Sequence, residues 1–222
     1  MTARRSFLQK VGIAGVATAA GVAILPGPPE SAPMAQASDD DGDGGSPIED
    51  LPWTQTVIED ESTAPVARFQ YRADGDSFEP TAPINVVFAL ADSPDGLPAV
   101  MAVLEDAGWI RVLEEYTRYA WDRDTEEYVL QEATAAETYY GTSGRLHVRC
   151  WEFEGVVSMQ AHEDAAARPY HTIASYARGR RAIESLFRAE GWNISPRALE
   201  LDNERDPDHD GSASVIRPGE SG

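Results

Sequence analysis

A tight turn between two alternating segments constrains this chain more than any other feature. Residues 145–153, Arg-Leu-His-Val-Arg-Cys-Trp-Glu-Phe, alternate polar and apolar; Glu154-Gly155 follows; and 156–162, Val-Val-Ser-Met-Gln-Ala-His, return. A two-residue loop closes a β-hairpin and fixes its register, because opposite partners must then sum to a constant. Phe153 is thereby set opposite Val156, Trp151 opposite Ser158, Arg149 opposite Gln160 and His147 opposite His162. One face carries Val148, Cys150, Val157, Met159 and Ala161, which reads as a core face. The other carries His147, Arg149, Trp151, Ser158, Gln160 and His162, a set that few solvated sheet faces collect.

Two imidazoles directly opposite one another have Cβ atoms about 5 Å apart and can point at one cation. Zinc needs at least a third protein ligand. Asp164 keeps the same face if the strand continues, and His171 lies just before a second helix, so His147, His162, Asp164 and His171 form the candidate metal set. Arg149 and Gln160, one pair along, can hold an anionic substrate group, and with Trp151 they complete a candidate functional face. Two readings stay open. The face is the site of a small metal-dependent hydrolase, or it is a recognition surface whose histidines bond their neighbours while Arg149 stacks on Trp151. Cys150, the one cysteine, excludes a disulfide framework and reads as a small core residue. A Gly-x-Ser-x-Gly elbow, a P-loop and a dinucleotide fingerprint are all absent from the sequence.

The surrounding periodicity supplies the layers. Residues 66–72 alternate, with Ala67, Phe69 and Tyr71 on one face, and 84–90 form a near-continuous apolar strand. Leu97, Val100, Met101 and Leu104 follow helical spacing, and a second helix is predicted over about 175–190, burying Tyr176, Ile183 and Phe187. Both helices end alike, in Leu104-x-x-x-Gly108-Trp109 and Phe187-x-x-x-Gly191-Trp192. Glycine takes the left-handed position after the last turn, and the residue after it packs back on the helix. Strand-rich segments lie between, at 116–121 and 128–130. The expected fold is α+β: a two-layer sandwich with two helices on one face of a mainly antiparallel sheet.

Pro83-Ile84-Asn85-Val86-Val87-Phe88, a helix closing in Ala107-Gly108-Trp109, and Leu146-His147-Val148-Arg149-Cys150-Trp151 together resemble the LssY-type C-terminal domain family, over about residues 83–190. The family often doubles the histidine and follows a later one with acidic residues. Here Leu146 precedes His147, and Ala174 and Ser175 follow His171-Thr172-Ile173. The resemblance implies a fold and no settled activity.

The flanks read as address and tether. Arg4-Arg5-Ser6-Phe7-Leu8, an apolar run over 11–25 and Ala35-Gln36-Ala37 fit a twin-arginine signal peptide at 1–37. The run is about 15 residues, short of the roughly 20 that span a bilayer, so no stable membrane anchor is expected after cleavage. Residues 38–63 read as an acidic disordered linker, 64–195 as a single α+β domain, and 196–222 as an acidic, mostly disordered tail. Asp39-x-Asp41-x-Asp43-Gly44 and Asp206-x-Asp208-x-Asp210-Gly211 each match the opening of a calcium loop. The second has Arg217 where the closing carboxylate belongs, and Asp-Gly strings are ordinary in acidic linkers, so neither is read as a site.

The formal net charge is −20, from 18 basic and 38 acidic residues. That argues against a nucleic-acid binder, which needs a cationic footprint to displace counterions from phosphate. Lys10 is the one lysine, and arginine supplies the other positive charge, as in proteins of extreme halophiles. The sequence thus describes an exported extracellular or cell-surface protein, a binding or structural module adapted to high salt, with a cell-surface component or another protein as its partner. Cleavage after Ala37 removes Arg4, Arg5, Lys10 and Glu30, leaving 15 basic and 37 acidic side chains. Self-repulsion at that charge should destabilise the compact state when screening is weak. Dialysis of the mature protein from molar to millimolar salt is expected to reduce its circular dichroism signal, with partial recovery when salt returns.

Overall fold

The computed structural model describes residues 65–90, 96–112, 116–139, 142, 144–165 and 172–219. The twin-arginine segment, the linker at 38–63, the Asp39 pattern and His171 lie outside the described residues.

The chain enters through two antiparallel strands, β1 (Phe69–Asp74) and β2 (Ser77–Pro83), joined at Gly75-Asp76. It continues through β3 (Val86–Ala89), α1 (Gly96–Asp106), β4 (Ile110–Arg111), β5 (Tyr119–Asp122), β6 (Glu127–Leu130) and β7 (Ala133–Ala136). The long hairpin is β8 (Leu146–Phe153) and β9 (Val156–Asp164). Then come β10 (Ile173–Ser175), α2 (Tyr176–Ala189), β11 (Asn193–Ile194), β12 (Leu199–Glu200) and β13 (Ser212–Arg217).

These strands make two sheets. The larger runs β11-β13-β3-β9-β8-β7-β4, with β10 added on β9 and β12 on β13; the smaller runs β2-β1-β5-β6. Strands account for 46% of the described residues and helices for 18%. The fold is therefore largely β, which corrects the expected two-layer α+β sandwich. Two contributions account for the difference. Residues 69–83 fold back as a hairpin whose β1 recruits β5, so the strand-rich middle builds a second sheet. Residues after 195, read as a disordered tail, supply β12 and β13. β13 lies inside the large sheet, parallel to β3, with Ser214 opposite Val86 and Ile216 opposite Phe88.

Both faces of the large sheet are covered. Leu97, Val100, Met101 and Leu104 of α1 and Ile183 and Phe187 of α2 pack on Val86, Phe88, Val148, Cys150, Met159 and Ala161. On the reverse face, Val66, Ala67, Ile84, Ala120, Leu199 and Leu201 cover Val87, Trp151, Val156 and Val215. Every residue of β9 is buried. Double coverage removes the polar-out, apolar-in alternation of a one-sided sheet.

Both helix ends have the geometry their sequences announce. Trp109 N–H donates to Leu104 O and Gly108 N–H to Glu105 O, both at 2.9 Å. Trp192 N–H donates to Phe187 O at 2.9 Å and Gly191 N–H to Arg188 O at 3.1 Å. The glycine φ values, 86° and 81°, are those of the left-handed turn this stop requires.

The second Asp-rich pattern has a structural use. Asp208 Oδ1 accepts from Tyr176 N–H (2.7 Å) and Ala177 N–H (3.3 Å) at the start of α2, and Oδ2 accepts from the hydroxyl of the N-cap Ser175 (2.5 Å). Asp210 takes both terminal nitrogens of Arg180 at 3.0 Å. Carboxylates at a helix N-terminus satisfy its orphan N–H groups and its dipole. His209, between them, is buried, with Nε2 2.8 Å from Asn203 Oδ1 and its ring against Tyr176.

Burial lowers the His209 pKa from 6.5 to about 4, with Arg180 adding to the effect and Asp210, Glu204 and Asp208 opposing it. The unfolded chain therefore takes up a proton that the folded chain refuses, and stability falls as pH drops from 6.5 towards 4. The urea midpoint should decline over that window in the native protein and stay nearly level there in His209→Gln.

Candidate metal centre on the polar face of the hairpin

The turn has φ 50° at Glu154 and 75° at Gly155, both left-handed, as a type I′ hairpin turn requires. The resulting register sets Trp151 opposite Ser158, Arg149 opposite Gln160 and His147 opposite His162. Val148 and Cys150 face the helices, and burial pushes the Cys150 thiol pKa far up, with Glu132 adding to it. That thiol is core material and no nucleophile.

The opposite face is buried too. His147 is 3% exposed, His162 2% and Asp164 5%, while Trp151, Ser158 and Gln160 are fully enclosed. Segment 66–67 and the loop after β12 close over its lower end, where Ala67 N–H donates to Ser158 Oγ at 3.1 Å. Trp151 belongs to that apolar cluster, and Arg149 lies between Gln160 on β9 and Thr134 on β7.

The structure brings three of the four proposed ligands together. One ligand atom each from His147, His162 and Asp164 lies within 4.8 Å of the others, and all three residues are buried. Ligand atoms around a tetrahedral zinc ion stand about 3.3 Å apart, given bonds near 2.0 Å, so a modest contraction closes the set. Such a cluster can hold a metal ion.

His162 is the best defined member. Its Nδ1 lies 3.0 Å from Gln160 Oε1 and its Nε2 3.0 Å from Asp164 Oδ1. A neutral imidazole has one N–H to give, and here both nitrogens face acceptor oxygens. A second ring proton completes the arrangement; so does a metal ion on Nε2, with Nδ1–H kept on Gln160. The latter is the usual outer support of a metal-bound histidine.

Arg145 is the site residue that the sequence reading passed over. It is 1% exposed, and its Nε donates to Asp164 Oδ2 at 2.6 Å. The register sum that pairs His147 with His162 also pairs Arg145 with Asp164, so the signal was present. Burial pushes the Asp164 carboxyl up, but hydrogen bonds and charge from His162 and Arg145 together hold it below the usual range.

Two neighbours fix the strand beneath this row. Asn85 Nδ2 donates to Ala161 O and Asn85 Oδ1 accepts from Ala161 N–H, both at 2.8 Å, so a side-chain amide replaces β3 as the strand's partner. Gly179 lets α2 lie against β9: a Cβ there would stand 2.5 Å from His162 Cα and N. The helix thus presses on the backbone of His162 itself.

No family model matches the chain, and no curated protein or solved structure matches it either.

Removing one partner of a buried ion pair leaves the other charge uncompensated. Arg145→Met is therefore expected to cost about 3–5 kcal/mol in urea unfolding. Arg145→Met combined with Asp164→Leu should recover part of that loss, which a double-mutant cycle reads directly.

Proposed function

We propose that this chain is an exported binding module, adapted to high salt, built around a buried zinc centre on His147, His162 and Asp164. The observation that carries the reading is the His162 ring, held between Gln160 Oε1 and Asp164 Oδ1 with His147 directly opposite. Imidazole nitrogen and carboxylate oxygen together suit zinc among divalent ions. The Arg4-Arg5 pattern supports export, and the acidic, lysine-poor composition supports the saline setting. His147, Arg149 and Trp151 support membership of the LssY-type group at the level of fold. A binding role, with a cell-surface or protein partner, fits a centre that stabilises a surface from beneath.

A metal-dependent hydrolase is the weaker reading. It needs a coordination position that water and substrate can reach, and the three ligands are at most 5% exposed.

Elemental analysis of protein folded in its native cytoplasm should find about one zinc per chain. Chelation should lower the melting temperature, and zinc alone should restore it. His147→Ala and His162→Ala should each abolish the response to zinc. Metal-free protein with a melting temperature indifferent to chelator and zinc would overturn the reading.

A further inference from the structure

In the two rows below the histidines, the same buried face presents hydrogen-bond donors to which no acceptor is matched. Trp151 and Gln160 are fully enclosed, and among the described residues neither Trp151 Nε1 nor Gln160 Nε2 has a hydrogen-bond partner. The register makes them diagonal neighbours on one face, with Cα atoms about 7–8 Å apart and Cβ atoms somewhat closer. Both side chains are long enough to reach one atom between them. Ser158, opposite Trp151, accepts from Ala67 N–H, which leaves its hydroxyl proton as a third donor. Arg149, opposite Gln160 and 5% exposed, adds a guanidinium to the same two rows.

An enclosed donor without an acceptor costs about 1–3 kcal/mol, and buried polar atoms in this condition call for a bound water or ion. Water is a poor fit. It accepts two bonds but brings two protons of its own, and Ser158 Oγ and Gln160 Oε1, the acceptors in these rows, already face Ala67 N–H and His162 Nδ1. A small spherical anion accepts from every side and brings no proton. The guanidinium of Arg149 supplies a favourable potential in a low-dielectric setting.

We propose that Trp151, Gln160, Ser158 and Arg149 form a buried halide-sized anion site. Chloride is the natural occupant in a protein adapted to molar salt. The site does not depend on zinc at the histidines, and chelated protein should bind the anion as well as metal-loaded protein does.

Crystals of the mature protein grown in sodium bromide provide the test. Anomalous scattering should show a bromide in contact with both Trp151 Nε1 and Gln160 Nε2, with and without chelator. In solution, replacing chloride by gluconate at constant ionic strength should lower the melting temperature of the native protein. Trp151→Phe, which keeps most of the ring volume and removes the donor, should abolish that difference. Gln160→Glu places a carboxylate in the row and should abolish both the bromide signal and the chloride dependence. Should Trp151→Phe not fold, Gln160→Glu carries the comparison alone. An ordered water without anomalous signal, bonded to a turned Gln160 amide, would overturn the proposal. Equal stability in chloride and gluconate would overturn it too. Loss of the zinc response with the bromide signal intact would remove the metal centre and leave this site standing.

Discussion

Glu154 and Gly155 both occupy the left-handed region, and the hairpin they close determines which side chains meet in the core. A slip of one residue would exchange the two faces of β8 against β9. His147, Arg149 and Trp151 would turn towards the helices, and Val148 and Cys150 towards the reverse cluster. Both faces are buried, so either exchange strands polar groups in an apolar layer. The five polar-side rows from Arg145–Asp164 to Phe153–Val156 are therefore one unit, held or lost together. Such a row specifies a single register more sharply than an apolar strand pair can.

β9 is the strand on which the other layers converge. β8 and β3 flank it, β10 extends its pairing at Glu163 and Asp164, and α2 lies against its backbone at Ala161 and His162. Asn85 occupies the corner where β3 departs, satisfying the amide and carbonyl of Ala161 that the departing strand leaves open. Asp208 holds the start of α2 from the far end of the chain. The position of His162 thus depends on residues at 85, 179 and 208 as well as on the turn. A binding centre placed there is rigid by construction, because its backbone is restrained by side chains, helix and strand at once.

What the sequence disclosed was local. The hairpin register follows from a two-residue loop, and the helix stops follow from Gly108-Trp109 and Gly191-Trp192, where the deciding contacts lie within six residues. What it concealed was non-local. Ser212-Ala213-Ser214-Val215-Ile216 is short and lies behind an acidic stretch, so composition favoured disorder. Its partner β3 lies more than 120 residues earlier, and nothing local announces a parallel pairing. Asp208 and Asp210 looked like solvated linker because their partners, Ser175 and Arg180, are some 30 residues away. The polar face was legible as a set of residues but not as a buried one. Its cover at 66–67 and 199–201 comes from two short segments far from the hairpin in sequence, so periodicity gave no sign of it.

The acidic composition separates into two populations with different responses to salt. Glu79 pairs with Arg72 at the surface, both about half exposed, and such a pair is screened at molar salt and worth little at any salt. Asp164 pairs with Arg145, their side chains 6% and 1% exposed, where mobile ions cannot enter between them. Asp208 and Asp210 stand between these limits, tied to backbone N–H groups and to Arg180. Lowering the salt therefore strengthens repulsion across the surface while leaving the Arg145–Asp164 pair almost unchanged. Screening acts on the outer charge, and the geometry of the Arg145–Asp164 and His162–Asp164 contacts belongs to the core. A folded fraction that survives at low ionic strength should keep its His162–Asp164 contact intact, because that contact owes nothing to screening.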